Sequence, residues 1–212
     1  MYIPKFNEET RLEVLHGLIR SQPFATLVTM GASGLIATHL PMVLSAGEGG
    51  RADILRGHVS RANPQWRELD PSVEALAIFV GPDHYITPSW YPEKAEDGKV
   101  VPTWNYAAVH VYGSVRIVED SEWLLTHLKS LTMQHETAFA RPWRVTDAPQ
   151  DYIKSQMRGI VGIEIPARRM EGKWKVSQNK SESTKRSIER GLEELGSPAS
   201  LAMRDLVHGK RP

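Results

Sequence analysis

The feature that most limits the fold of this chain is a series of short strand-like segments with little helix between them. The first two, 25–30 and 35–44, are separated by the turn sequence GASG, and their pattern predicts a β-hairpin. Two more follow at 53–60 and 73–80, and the unbroken apolar run of the last predicts burial on both faces. The chain lacks the regular strand–helix alternation of a doubly wound sheet. We therefore expect a mainly β, α+β fold built around a closed or half-closed antiparallel barrel.

Other patterns predict helices around this sheet. Asn7 and the apolar spacing that follows predict a capped helix over about 8–20, and Asp120 caps a predicted helix over 120–136. The remaining predicted elements are a surface connection (45–50), a short helix (148–157), a last strand (159–166) and one or two tail helices after Ser181.

Two neighbouring segments carry unusual aromatic residues. The segment 81–102 contains four prolines together with Tyr85, Trp90 and Tyr91, which is typical of a functional loop rather than a disordered one. The row Thr103, Trp104, Asn105 and Tyr106 then enters a strand that alternates regularly from Val109. Such a row suits a wall around a flat, partly polar ligand, although two aromatic residues that fill the core are the alternative.

Composition and motifs exclude several classes. The 212 residues contain no cysteine, which excludes disulfides, thiolate metal sites and thiol catalysis. The net charge of +1 indicates no general affinity for nucleic acid or membranes, and no apolar run is long enough to span a bilayer, so we expect a cytoplasmic protein. The signatures of serine hydrolases, P-loop nucleotidases and Rossmann dinucleotide folds do not occur.

The segment 57–69, GHVSRANPQWREL, offers the strongest candidate anion site. A predicted strand ends at Ser60 and Arg61, and Asn63 with Pro64 then begins a predicted helix. Free N–H groups at this helix start, together with the guanidinium and the hydroxyl, would hold a phosphate. The alternative is an ordinary capped helix in which Arg61 pairs with a surface acid.

The histidines do not form a metal motif. His39, His58, His84 and His110 stand apart, so no metal site is predicted, whereas haem needs only one axial histidine and stays open. His39 and His58 fall on neighbouring predicted strands and could meet at a ligand, or serve as ordinary members of a sheet surface. The only basic segment, 168–190, carries eight basic against three acidic residues and suits either a phosphate or a solvated face.

Several long motifs together resemble one family. They are MYIPKFNEE, LRGHVSRANPQW, ITPSWYPEK, GKVVPTWNYAAVHVYG, IVGIEIP and EGKWKVSQN, and they extend from Met1 to about Asn179. The chain is thereby similar to the PaiB-like, FMN-binding negative transcriptional regulators. The resemblance implies an FMN-binding split β-barrel, like that of pyridoxamine-phosphate oxidase, over 1–180. It does not cover the tail 181–212, which the sequence pattern predicts to be helical and to pack on the domain or on a partner subunit. The resemblance also implies a homodimer with a flavin at each subunit boundary.

The resemblance assigns roles to the candidate residues. Ser60, Arg61 and Asn63 would hold the FMN phosphate, while Thr38, His39 and His58 would lie along the ribityl chain or the ring edge. The far wall would consist of Trp90, Tyr91, Thr103, Trp104, Asn105 and Tyr106, and the closing segment would contribute Lys173, Lys175, Gln178 and Asn179.

Three functions stay open at this point. The family name implies a repressor, although no DNA-binding motif is visible in the sequence. The aromatic pocket would equally suit a flavin-dependent oxidoreductase that acts on a small molecule. Haem binding through one histidine is the third alternative.

Overall fold

The computed structural model describes residues 1–47, 49 and 51–211, so Glu48 and Gly50 of the predicted surface connection lie outside the described residues. Its strands are β1 (Glu8–Glu9), β2 (Phe24–Gly31), β3 (Gly34–Pro41), β4 (Val43–Ser45), β5 (Ile54–Ser60), β6 (Ala75–Ile86), β7 (Thr103–Gly113), β8 (Arg116–Val118), β9 (Ile160–Pro166) and β10 (Arg169–Lys175). Its α-helices are α1 (Leu12–Ser21), α2 (Gln65–Glu68), α3 (Glu93–Glu96), α4 (Ser121–Glu136), α5 (Gln150–Met157), α6 (Glu182–Leu195) and α7 (Pro198–His208). Short 3-10 helices lie at Lys5–Asn7, Pro88–Trp90 and Val145–Asp147.

The chain divides into two compact units. The first unit consists of residues 1–22, 80–110 and 171–212, and the second unit of residues 23–79 and 111–170. Strands β6 and β7 contribute residues to both units.

Antiparallel sheets form the second unit. The hairpin predicted from the sequence is confirmed, because Gly31 pairs with Gly34 across a two-residue loop and β2 pairs with β3 throughout. Gly34 adopts a φ of +114°, which a residue with a side chain rarely tolerates. Strand β6 pairs with the other edge of β2, and a second sheet has the order β4-β5-β9-β8.

Helix α4 packs on the second of these sheets. Asp120 caps it as predicted, since its carboxylate accepts a hydrogen bond of 2.7 Å from the N–H of Trp123. The Trp123 ring lies directly on Gly162 of β9, where an added Cβ would stand 2.3 Å from the indole. A glycine is therefore required at this contact.

The first unit combines the strand order β1-β10-β7-β6 with α1 and the two tail helices. Helix α1 buries Val14, Leu15, Leu18 and Ile19. It begins at Leu12 and not near residue 8 as predicted, because Glu8 and Glu9 pair with Lys173 and Gly172 of β10. The strand 159–166 is not the last one, since β10 follows it.

Two further strand predictions need correction. Burial along β6 alternates, with Ala75, Ala77 and Phe79 buried and Val80 exposed, so this strand is not covered on both faces. It also continues through Pro82 to Ile86, into the segment predicted to be a loop. Similarly, β7 begins at Thr103, so the aromatic row belongs to the strand itself.

The tail is helical as predicted, and it folds as two helices, one of the two possibilities left open by the sequence. Ser181 and Ser197 cap α6 and α7, and Gly196 ends α6 with a φ of +64°. Helix α6 packs against the 3-10 helix Pro88–Trp90 and α7 packs against α6. The tail is therefore docked within the first unit.

Candidate functional site

The turn after β5 does not offer the free N–H groups expected of an anion site. Asn63 acts as predicted near the start of α2, because its Oδ1 accepts a hydrogen bond of 2.9 Å from the N–H of Gln65. However, α2 has only four residues, and its weak dipole adds little. The turn also closes on itself, so its N–H groups already donate within the chain, namely those of Arg61, Ala62, Asn63 and Gln65. These four N–H groups are therefore not free for a ligand, in contrast to the expectation for this turn.

The guanidinium of Arg61 is largely engaged by the protein. Its Nε donates to the carbonyl of Arg158 at 2.9 Å, its Nη2 donates to the carbonyl of Ile160 at 3.2 Å, and its Nη1 pairs with Glu119. This is the surface-acid alternative raised by the sequence. Three of five N–H donors are in use, which leaves two for a ligand.

Thr38 and His39 project from opposite faces of β3, as neighbours in a strand must. The hydroxyl of Thr38 accepts a hydrogen bond of 2.9 Å from Nδ2 of Asn63. On the other face, Nδ1 of His39 lies 3.0 Å from the hydroxyl of Thr26, and its ring stacks on Phe24 at 6.1 Å between centroids. The two side chains therefore face different surroundings.

The face of the hairpin that carries His39 is apolar and open to solvent. Phe24 is 67% exposed and Leu35 is 73% exposed, and the pairing of β2 with β3 places Val28, Met30 and Ala37 on the same face. We call this surface the hairpin face. An exposed apolar sheet face of this kind is typical of an association surface.

His58 does not pair with His39. Its Nδ1 lies 3.1 Å from Nε2 of His127, and the His127 ring stacks on Trp123 at 5.3 Å. Burial lowers the pKa of both histidines, that of His127 to about 4 with further contributions from His58 and Arg56. Both rings are thus neutral at physiological pH. No sequence signal indicated this partner, because His127 lies on a helix remote from β5 in the chain.

In the first unit, the row 103–106 divides between the two faces of β7. Asn105 is 1% exposed, and its amide nitrogen donates to the hydroxyl of Ser177 at 2.9 Å. Ser177 has a φ of +62°, which this contact helps to hold. The structure therefore assigns Asn105 to an internal hydrogen bond rather than to the edge of a ligand.

Trp104 is the most exposed residue of the row 103–106. It is 50% exposed, its indole Nε1 donates to Oδ1 of Asp83 at 3.0 Å, and its ring lies 6.2 Å from that of Tyr85. Asp83 thus fixes the orientation of a partly exposed aromatic pair. Sequence reasoning did not assign Asp83 or Tyr85 to the site. Their spacing of two residues would place both side chains on one face of a strand, but only if the strand continues past Pro82.

Two lysines of β10 lie on the same face of the sheet as Trp104. The ammonium of Lys173 lies 5.2 Å from the Tyr106 ring and donates to the carbonyl of Tyr2 at 3.0 Å. Lys175, two residues further along, projects to the same face, is half-buried and donates to the hydroxyl of Thr103. We call Trp104, Tyr106, Lys173 and Lys175 the β7–β10 face. It combines aromatic rings with ammonium donors.

Most of the other residues predicted for the far wall and the closing segment of the flavin site contact other parts of the protein. Tyr91 is 4% exposed with Lys180 over its ring, and Trp90 lies against Gly191 of α6. The amide of Gln178 donates to the carbonyl of Phe6 at 2.7 Å and accepts from the N–H of Val176. Asn179 is exposed. The tail and the N-terminal segment thus cover Trp90, Tyr91 and Gln178.

Residues 1–47, 49 and 51–211 contain no group of three or more His, Asp or Glu side chains placed to hold a metal ion. Within the same residues, every helix is too short or too polar to cross a bilayer.

Comparison with known proteins gives one family-model match and relatives that match over nearly the full length of the chain. A family model described as "Putative FMN-binding domain" matches residues 1–169. An uncharacterized protein of Emericella nidulans is 35% identical over 98% of this chain and 96% of its own length. The "Protease synthase and sporulation protein PAI 2" of Bacillus subtilis is 31% identical over 99% of this chain and 98% of its own length.

Solved structures share the fold. A conserved hypothetical protein of Mycobacterium tuberculosis has a TM-score of 0.59 at 15% identity, covering 85% of this chain and 94% of the other. A FAD and heme binding protein of Mycobacterium smegmatis has a TM-score of 0.54 at 15% identity, covering 80% and 73%. The predicted fold class is confirmed: antiparallel sheets with flanking helices in a flavin-binding split-barrel fold of the pyridoxamine-phosphate-oxidase type.

Proposed function

The chain belongs to the FMN-binding domain family, and we propose on this basis that it is a PaiB-type flavoprotein, an FMN-binding homodimer that acts as a negative regulator of transcription. The observation that carries the proposal is the family match over residues 1–169. FMN is the cofactor that this family membership indicates. When bound, it would supply one- and two-electron redox chemistry.

The β7–β10 face fits a flavin in its chemistry. The partly exposed Trp104, oriented by Asp83, offers a ring surface for stacking on a flat heterocycle. The Lys175 ammonium has three donors, of which the Thr103 hydroxyl takes one, so it can also meet a phosphate. We therefore propose Trp104 and Lys175 as the principal flavin contacts of the first unit.

The residues that the sequence assigned in the second unit stay predicted contacts. Arg61 keeps two N–H donors for a phosphate. His39 is exposed and lies on the hairpin face, whereas the side chains of Thr38 and Asn63 are hydrogen-bonded to each other. Ser60 is exposed and His58 is half-buried against His127. Arg61 and Lys175 are thus two separate candidates for the phosphate contact, and they can be tested individually.

We expect the purified protein to bind FMN, and Trp104→Ala to weaken binding about tenfold through the loss of aromatic stacking. Titration of the apoprotein, followed by flavin absorbance and fluorescence, measures the affinity. Trp143→Ala is the matched control, because Trp143 is also a partly exposed tryptophan but lies in the second unit. A protein that binds no FMN, or a Trp104→Ala variant with unchanged affinity, would contradict the respective assignment.

The phosphate contact is tested by comparing FMN with riboflavin, which lacks the phosphate. Lys175→Met should weaken FMN binding and leave riboflavin binding unchanged, since only FMN carries the anion. The same comparison with Arg61→Met decides whether the contact predicted from the sequence also exists. A variant that loses both flavins equally has lost its fold or its ring contacts instead.

The hairpin face supports the homodimer. Phe24 and Leu35 are largely exposed, and they continue a surface formed by Val28, Met30 and Ala37. A sheet face of this composition is unfavourable in water, and a second copy of the chain would cover it with an equivalent apolar surface. We therefore assign the proposed dimer contact to the hairpin face.

The regulatory part of the proposal is supported by the similarity to PaiB-like proteins, and the basic segment 168–190 adds little to it. Several of its basic groups are engaged: Arg168 pairs with Glu74, Arg169 lies over the Tyr112 ring, and Lys185 pairs with Glu182. Direct repression predicts sequence-selective DNA binding that withstands physiological salt. A gel-shift series on genomic fragments, with and without FMN, tests it; uniform binding that modest salt abolishes would argue against direct repression.

A further inference from the structure

The second unit contains a cavity whose lining shares only Arg61 with the candidate flavin contacts and no residue with the hairpin face. It has a volume of about 730 Å³ and lies between α4, the segment 145–148 and α5. This volume is in the range of cavities that hold small organic ligands. All of its lining residues belong to the second unit.

The floor of the cavity is apolar. Leu124, Val145 and Met157 are buried beneath it, and the half-buried Leu125 and Ile153 complete it. Contact with this floor would remove apolar surface of both the ligand and the protein from water. The interior therefore favours the hydrocarbon or aromatic part of a ligand.

The rim of the cavity carries an excess of positive charge. Arg61 and Glu119 lie on it but neutralise each other. The remaining charges are Lys129, Lys154 and Arg158 against the single carboxylate Glu122. Within the part of the chain that the structure describes, these three cations form no ion pair. They are exposed and can turn toward an anionic group at the mouth of the cavity.

We propose that this cavity is a second ligand site, separate from the flavin, for an amphipathic anion that consists of an apolar body and a carboxylate head group. The body lies on the floor formed by α4 and α5, and the carboxylate faces the lysines of the rim. A neutral ligand would gain only the apolar contact, and a cation would meet like charges, so the cavity selects by charge.

The test uses decanoate, with decanol and decyltrimethylammonium as neutral and cationic counterparts of the same chain length. Each competes with 8-anilinonaphthalene-1-sulfonate, an amphipathic anion whose fluorescence reports binding to the folded protein. We expect decanoate to displace the probe at the lowest concentration. Equal potency of decanol and decanoate, or no saturable probe binding, would overturn the proposal.

Variants locate the site. Lys129→Gln and Lys154→Gln should each weaken decanoate binding about threefold, the effect of one exposed charge contact, and leave decanol binding unchanged. Lys5→Gln is the control, because it removes one exposed charge outside the cavity. Ala148→Trp should block all three ligands by filling the cavity, and circular dichroism would verify that this variant is folded. Normal decanoate binding to folded Ala148→Trp, or equal effects of all three lysine variants, would overturn the location.

The final experiment uses FMN as a competitor of the fluorescent probe. If the two sites are separate, saturating FMN leaves the probe bound, and the Lys154→Gln variant keeps its affinity for FMN. Competitive displacement of the probe by FMN would mean that the cavity is the flavin site, and it would overturn the proposal of a second ligand.

Discussion

His127 is a buried histidine whose protonation should destabilise the fold. It is 2% exposed, its Nε2 faces Nδ1 of His58, and its own Nδ1 has no hydrogen-bond partner among the described residues. Burial, the neighbouring His58 and the cation of Arg56 all disfavour a second proton, which lowers its pKa to about 4. In the unfolded chain the same ring has the ordinary pKa of about 6.5.

Because the pKa of His127 is lower in the folded state, the unfolded state binds more protons between pH 6.5 and 4. The contribution of this residue is therefore complete above pH 6.5 and is lost as the pH falls toward 4. We expect the free energy of unfolding to decrease by at most about 3 kcal/mol over that range. Urea denaturation at a series of pH values measures it.

His127→Phe should flatten this pH dependence, since it keeps an aromatic ring against Trp123 and removes the titrating group. His135→Phe on the same helix is the control, because it makes the same substitution at an exposed position. Identical profiles for His127→Phe and the unmodified protein would show that other groups cause the loss of stability in acid.

At the scale of elements, the tail helix α6 is held to the first unit by a close contact. Gly191 lies against the indole of Trp90, and a Cβ at this position would stand 2.3 Å from Cε2 of the ring. Beside it, the hydroxyl of Thr184 donates to Glu93 at 2.6 Å. The segment 88–96 and the tail therefore stabilise each other.

Gly191→Ala should destabilise the protein by about 1–3 kcal/mol, because the added methyl group overlaps the indole. Hydrogen exchange should rise most in α6 and α7. In a Trp90→Ala background the same substitution should be neutral or stabilising, since alanine is the better helix former once the ring is gone. Additive effects of the two substitutions would refute the proposed contact.

At the scale of the whole molecule, the proposed dimer contact on the hairpin face leads to a prediction about the oligomeric state. Leu35→Glu places a charge at the turn end of this surface. If a second copy covers it, the variant should be a monomer at concentrations at which the unmodified protein is a dimer, because an unpaired carboxylate is costly to bury. Sedimentation equilibrium measures the mass directly.

Val73→Glu is the matched control for this experiment. Val73 is also an exposed apolar residue of the second unit, but it lies in the turn before β6 rather than on the hairpin face. It should leave the association unchanged. A monomeric unmodified protein, or a dimeric Leu35→Glu variant, would rule out this interface.

Local patterns were sufficient to predict the β2–β3 hairpin, the capped helix α4 and the helical character of the tail. Each depends on residues close in the chain: the GASG turn, Asp120 before Trp123, and Ser181 before α6. Elements that depend on distant pairing were misplaced. Glu8 and Glu9 form a strand and not a helix start because they pair with β10. Strand β6 lies between β7 and β2 in the sheet and continues through Pro82.

The candidate site likewise has features that the local sequence determines and features that depend on distant parts of the chain. The sequence by itself determined the family, through long motifs in a fixed order, and it drew attention to Trp104, Arg61 and the lysines of β10. Only the tertiary structure decided which of these groups are open to a ligand. Trp104 is exposed beside Asp83 and Tyr85. In contrast, the side chain of Asn105 is hydrogen-bonded to Ser177. The guanidinium of Arg61 uses three of its donors on Glu119 and two backbone carbonyls. The reason is physical: a residue type fixes which hydrogen bonds a side chain can make, but its availability depends on partners that folding brings from elsewhere in the chain.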